Sequence, residues 1–166
     1  ELMQTPDGRQ AALLGASAGW DDDFGALRGR LLAGVRDAVA ATRRRIDADE
    51  ASMRTVLRCG LPQADPGCGV TVRYLYQVLR GLPREQVFAQ ILLGYELAST
   101  DPRFVGVNLV MPEDAAVPMR DFRLHMRMLE FMHGIYPRVH LSLHAGELVM
   151  GLVPPEGLRF HIRESI

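Results

Sequence analysis

From Gly69 onward, runs that read as strands alternate with runs that read as helices at a spacing of about 35 residues, which is what parallel strands joined by crossover helices demand. A strand over 70–78 leads through Gly81-Leu82-Pro83 into a helix over 84–99, where Val87, Ile91 and Tyr95 share one face. A strand over 104–110 leads through a loop into a helix over 118–134, and proline suits the first turn of that helix. A strand over 138–143 leads through a long loop into a helix opened by Gly157. This half of the chain therefore predicts an α/β fold.

The alternation of side chains along an extended chain sorts these strands into faces. Val105, Val107 and Leu109 form an apolar side suited to packing on helices, and Asn108 lies on the other side. In the last strand Val139, Leu141 and Leu143 point one way, while His140, Ser142 and His144 point the other. His144-Ala145-Gly146-Glu147 follows directly. If Ala145-Gly146 makes a tight exit, the carboxylate of Glu147 folds back over the strand end, within reach of whatever His144 binds. A neutral imidazole beside a mobile carboxylic acid suits a metal-bound water: the imidazole holds the ion and the acid moves protons. The candidate chemistry lies at carboxyl ends: Leu79 and Arg80, Met111 and Glu113, His144 and Glu147.

The first part of the chain is less regular. Gln4-Thr5-Pro6-Asp7-Gly8 reads as a turn. Residues 9–20 lack clear periodicity, but Gly15-Ala16-Ser17-Ala18-Gly19 matches the G-x-S-x-G of a serine nucleophile elbow, which needs a strand before the serine and a helix after it. Asp21-Asp22-Asp23 supplies a helix cap, and Leu27, Leu31, Val35 and Val39 mark one apolar helix face that runs to Arg43-Arg44-Arg45. A second helix is expected from Asp47 or Asp49, turning Met53, Val56 and Leu57 inward, so that 21–59 forms a helical excursion between strands.

With 48% hydrophobic and 23% charged residues and a net charge of −1, the chain has no general attraction to nucleic acid or anionic membrane. All 19 basic residues are arginine, which removes lysine Schiff-base and phosphate-loop chemistry from this stretch. Cys59 and Cys68 flank a turn-rich loop and fit no zinc ligand spacing. They read either as two small core residues or as a disulfide, and a bridge would imply an oxidising compartment such as a periplasm, against a cytoplasmic location for free thiols.

His144-Ala145-Gly146-Glu147 resembles the HAGE signature of the adenosine deaminase family. Residues 105–114 resemble the strand and loop that precede it there, and 72–80 the strand before that, ending in its arginine; Glu1-Leu2-Met3 looks like the tail of one more strand. The resemblance implies about half of a (β/α)8 barrel, because such barrels take roughly 250 residues and this chain has 166. It implies a central segment of a longer enzyme, with the rest of the barrel supplied by the same gene product and the segment inactive alone. The implied reaction is zinc-dependent hydrolytic deamination of a purine nucleoside, with His144 as one zinc ligand and Glu147 protonating the ring nitrogen beside the attacked carbon. Met111 and Leu79 would be substrate contacts. The family commonly has glycine where Met111 stands, and a bulkier residue there would narrow the pocket or shift base preference. The rival expectations are a serine hydrolase using Ser17 and a non-catalytic α/β module. His125, His133 and His161 fall in helices away from strand ends, and His140 lies one alternation below His144.

Overall fold

The computed structural model describes residues 6–166, with side chains from Arg9 onward. Five α-helices and two paired strands follow in the order α1 (Pro6–Ala18), α2 (Phe24–Val56), β1 (Tyr74–Leu79), α3 (Arg84–Thr100), β2 (Phe104–Val110), α4 (Ala116–Ile135) and α5 (Pro155–Glu164).

The amino-terminal half is more helical than its sequence pattern suggests. Pro6–Ala18 is a helix where a turn and an irregular stretch were expected, because alanine and leucine are the strongest helix formers even without a clean apolar period. The expected strand tail at Glu1-Leu2-Met3 lies outside the described residues. Asp23 caps α2 through Oδ1, which accepts from the N–H groups of Gly25 at 2.8 Å and Ala26 at 3.1 Å. The helix then runs unbroken for 33 residues, so no second helix begins at Asp47 or Asp49. No glycine or proline interrupts it after Gly34, and the two acids that looked like a fresh cap are paired from the side, Asp47 with Arg103 at 2.8 Å and Asp49 with Arg45 at 3.3 Å. Its last turns project beyond the core, leaving Met53 and Val56 exposed rather than turned inward.

Beyond α2 the chain is tied back by a disulfide between Cys59 and Cys68, with Cα atoms 5.6 Å apart. Closing so short a loop stabilises by about 2–3 kcal/mol through lost freedom of the unfolded chain. Replacing both cysteines by serine should lower the urea unfolding free energy by about that amount. Reductant should lower the native protein to the level of the variant and leave the variant unchanged. Among the described residues no helix is long and apolar enough to cross a membrane.

The core is built round α3, whose residues from Val87 to Leu97 are all buried. A helix apolar on every side needs covering on every side. Helices α1 and α2 pack on it, the strands and α4 also contact it, and Phe24, Phe88 and Phe131 meet in ring contacts between α2, α3 and α4. Gly15 marks the closest approach: a β-carbon there would lie 2.4 Å from the backbone oxygen of Glu85.

Strands β1 and β2 are parallel, with Leu75 opposite Gly106 and Leu79 opposite Val110. The run expected as a third strand over 138–143 joins β2 through a single parallel bridge between Val107 and Leu141. Val107 N–H donates to the His140 carbonyl at 3.0 Å, and Ser142 N–H donates to the Val107 carbonyl at 3.0 Å. The half-barrel expectation is therefore corrected. The described residues are mostly helical and carry a two-stranded parallel sheet, because the alanine-rich first third forms helices and 138–143 finds only one ladder partner.

Candidate functional site

The side chains of interest meet where β1, β2 and the 139–144 run end. Arg80 follows β1 and is 1% exposed. Its Nε donates to the Met111 carbonyl at 2.9 Å and its Nη1 to the His144 carbonyl at 3.0 Å, so one guanidinium clasps the exits of two neighbouring segments. Burial pulls this guanidinium below its usual pKa, opposed by the charges of Glu113, Glu147 and Asp114. Its Nη2 lies 3.8 Å from Glu147 Oε2, beyond hydrogen-bond length.

His144 faces solvent, and its Nδ1 lies 3.0 and 3.1 Å from the two amide atoms of Asn108. Asn108 Nδ2 also approaches Gln77 Oε1 at 3.4 Å. Nδ2 carries two hydrogens and can serve Gln77 and Nδ1 together, and Oδ1 can instead accept from Nδ1–H, so Asn108 satisfies either tautomer of His144. With Nδ1–H donated to Asn108 Oδ1, Nε2 keeps the lone pair that a metal-ligating imidazole needs. Leu141 and Leu143 point the opposite way, into a cavity of about 560 Å³ that also borders α4 and α5. His140 is exposed and its carbonyl serves the β2 bridge.

Glu113 holds the turn in place. Its carboxylate accepts from Gly146 N–H at 3.0 Å and Glu147 N–H at 2.7 Å, and Oε1 lies 2.5 Å from His161 Nδ1. Burial pushes this carboxyl up, but the Gly146 N–H, the His161 ring, the Glu147 N–H and the Arg80 charge outweigh it and hold it below the ordinary value. His161, in α5, stacks on Phe122 of α4 with ring centres 3.7 Å apart, so the turn is fixed to both helices. Gly146 has a φ of +80°, and a β-carbon there would lie 2.7 Å from Ile162 Cγ1. Both facts call for glycine at that point of the motif.

Glu147 itself is 55% exposed at its side chain, with its backbone pinned and its carboxylate free to move. Met111 has a φ of +85°, the left-handed region that favours glycine. Its sulfur lies 3.3 Å from Gly81 N, so the side chain lies back across the β1 exit and leaves the residue 37% exposed. Met111→Val should be less stable than Met111→Gly by about 2 kcal/mol in chemical denaturation, since a β-branched residue tolerates positive φ least. Equal stability of the two variants would show that the φ is not strained.

Met111, His144 and Glu147 are thus gathered round Arg80. Leu79 is not: it is buried, and its N–H donates to Gln90 Oε1 at 3.1 Å. Ser17 lies in the last turn of α1 with helix before it, so the strand required by a nucleophile elbow is lacking there. His125 is buried in α4, and desolvation drives its pKa down to about 4, which keeps it neutral at pH 7. Sequence reasoning did not single out the pairing of Glu113 with His161, 48 residues apart, and no local pattern announces it. Among the described residues no three of His, Cys, Asp and Glu come together as a metal site.

A scan of family models, of curated proteins and of solved structures returns no match.

Proposed function

We propose that this chain carries part of the active site of a zinc-dependent hydrolase that deaminates a purine nucleoside, converting adenosine to inosine and ammonia. The observation that carries the reading is the placement of His144: its Nδ1 is engaged by Asn108, which leaves Nε2 open to another partner at the end of the 139–144 run. That fits one coordination position for zinc. The further ligands would come from residues outside these 166. When bound, zinc supplies an activated water. Glu147, anchored by its N–H and free at its carboxyl, gives a proton to the ring nitrogen next to the carbon under attack. Met111, with its carbonyl held by Arg80 and its side chain laid across the β1 exit, borders the space for the base and narrows it. The Cys59–Cys68 bridge supports an oxidising compartment such as a periplasm as the place of work.

Metal analysis of the full-length gene product, together with ammonia release from adenosine, tests the reading. Native protein should carry zinc and release ammonia, and His144→Ala should lose the metal by 10-fold or more in affinity, an order-of-magnitude expectation for a ligand. Unchanged zinc in His144→Ala, or no ammonia from any purine nucleoside, overturns it.

A further inference from the structure

We propose that Arg80 is the positioning residue that sets the acid Glu147 against the ligand His144, an inference that rests on the deaminase reading above. Each nitrogen of its guanidinium addresses a different part of the site. Nε takes the Met111 carbonyl, Nη1 takes the His144 carbonyl, and Nη2 points toward the Glu147 carboxylate at 3.8 Å. Nη2 is buried and has no hydrogen-bond partner in this arrangement.

Two features separate this from an ordinary structural brace. Holding two backbone carbonyls takes donors but no charge, and a neutral amide or a water does the same work without the desolvation cost of a buried cation. Glu113 is the largest counter-charge of this buried cation, but its oxygens are taken by two backbone N–H groups and His161 and give Nη2 no hydrogen bond. The carboxylate that Nη2 itself faces is that of Glu147. The second feature is the 3.8 Å gap. A closed, charge-assisted contact would lock Glu147 in place, whereas the open one lets its carboxyl swing to substrate and return. When Glu147 Oε2 gives up its proton to the ring nitrogen, the negative charge left on that oxygen forms beside Nη2. Arginine's rigid fork aims all three donors at once; a lysine offers one mobile point charge and cannot bridge both carbonyls.

The test compares the zinc-loaded full-length protein with Arg80→Gln and Arg80→Lys, using adenosine as the probe. Both variants should keep zinc. Their kcat should fall on the order of 100-fold, the usual consequence of misplacing a reacting group by about 1 Å, while KM moves only a few-fold. Added guanidinium chloride should restore part of the activity of Arg80→Gln and none in Arg80→Lys, whose ammonium fills the site. A kcat within about threefold of native in a folded, zinc-loaded variant overturns the role. Should the native protein release no ammonia, the deaminase reading fails, and Arg80 is then judged by hydrogen exchange. Faster exchange confined to the amides of 144–148 in Arg80→Lys upholds the positioning role, and unchanged exchange there overturns it as well.

Discussion

Glu147→Gln should abolish ammonia release from adenosine, by on the order of 100- to 10,000-fold in kcat, while zinc content and thermal stability stay at the native level. The separation of the two effects follows from how Glu147 is attached. Its backbone N–H donates to Glu113 Oε2 at 2.7 Å, a bond the substitution leaves intact. Its side chain is 55% exposed, and its ion-pair contact among the described residues is with Nη2 of Arg80, at 3.8 Å. An exposed, loosely held carboxylate contributes little to stability. Glutamine keeps the shape but has no acidic proton to give, so substrate binding should survive with KM nearly unchanged. Single-turnover mixing of adenosine with excess enzyme checks the same point at the chemical step. Native rates in Glu147→Gln would remove the acid from the mechanism and, with it, the deaminase reading.

What the sequence made legible was what repeats locally. Strand β2 and the helices α3 and α4 fall where the alternation and the proline at 118 place them, because period and punctuation are local properties of the chain. The facing of His144 and Asn108 was legible for the same reason: a period of two fixes which residues share a side, and the two meet at about 3 Å. Three things were not legible. Helix α1 lacks a strong apolar period and is held against α3 by small residues such as Gly15, a tertiary fit that no window of sequence contains. Helix α2 continues through Asp47 and Asp49 with both acids paired from the side, Asp47 with Arg103, more than 50 positions away, and Asp49 with Arg45 one turn before it. The number of strands was over-read, since the alternation at 138–143 says that a run can pair and not how many of its residues find a partner. The supports of the turn, Arg80 and Glu113, were noticed as polar residues at strand ends, but their bonds cross 31 to 64 positions and carry no sequence signature.

Those supports bear on the second large effect expected. Glu113→Ala should destabilise the fold by about 3–5 kcal/mol, a large share of the roughly 5–15 kcal/mol that holds a domain together. The carboxylate is 1% exposed and serves the N–H groups of Gly146 and Glu147 together with His161 Nδ1. Truncation strands all three and leaves the buried Arg80 cation without its main counter-charge. Glutamine is a milder change, since its oxygen still accepts from one N–H while its amide opposes a second donor. The pH dependence tells the two states of Glu113 apart. Its carboxyl is held below its unfolded value near 4.5, so its contribution is fully present above that pH and is lost as the pH falls toward the folded value. His125, pushed down from 6.5 to about 4 by burial, also contributes stability that is present above 6.5 and lost on acidification, but over a higher window. Chemical denaturation of the native protein from pH 7 to pH 3 should therefore show a decline that begins near 6.5 and steepens below about 4.5. In Glu113→Gln the first part of the decline should persist and the steepening just below 4.5 should weaken, leaving the loss that begins below about 3.8 from Asp101 and Asp121, whose carboxyls are also held low by arginine partners. A Glu113→Gln curve parallel to the native one down to pH 3 would mean that this carboxylate carries no net favourable interaction, and the clamp on the His144–Glu147 turn would have to be sought elsewhere.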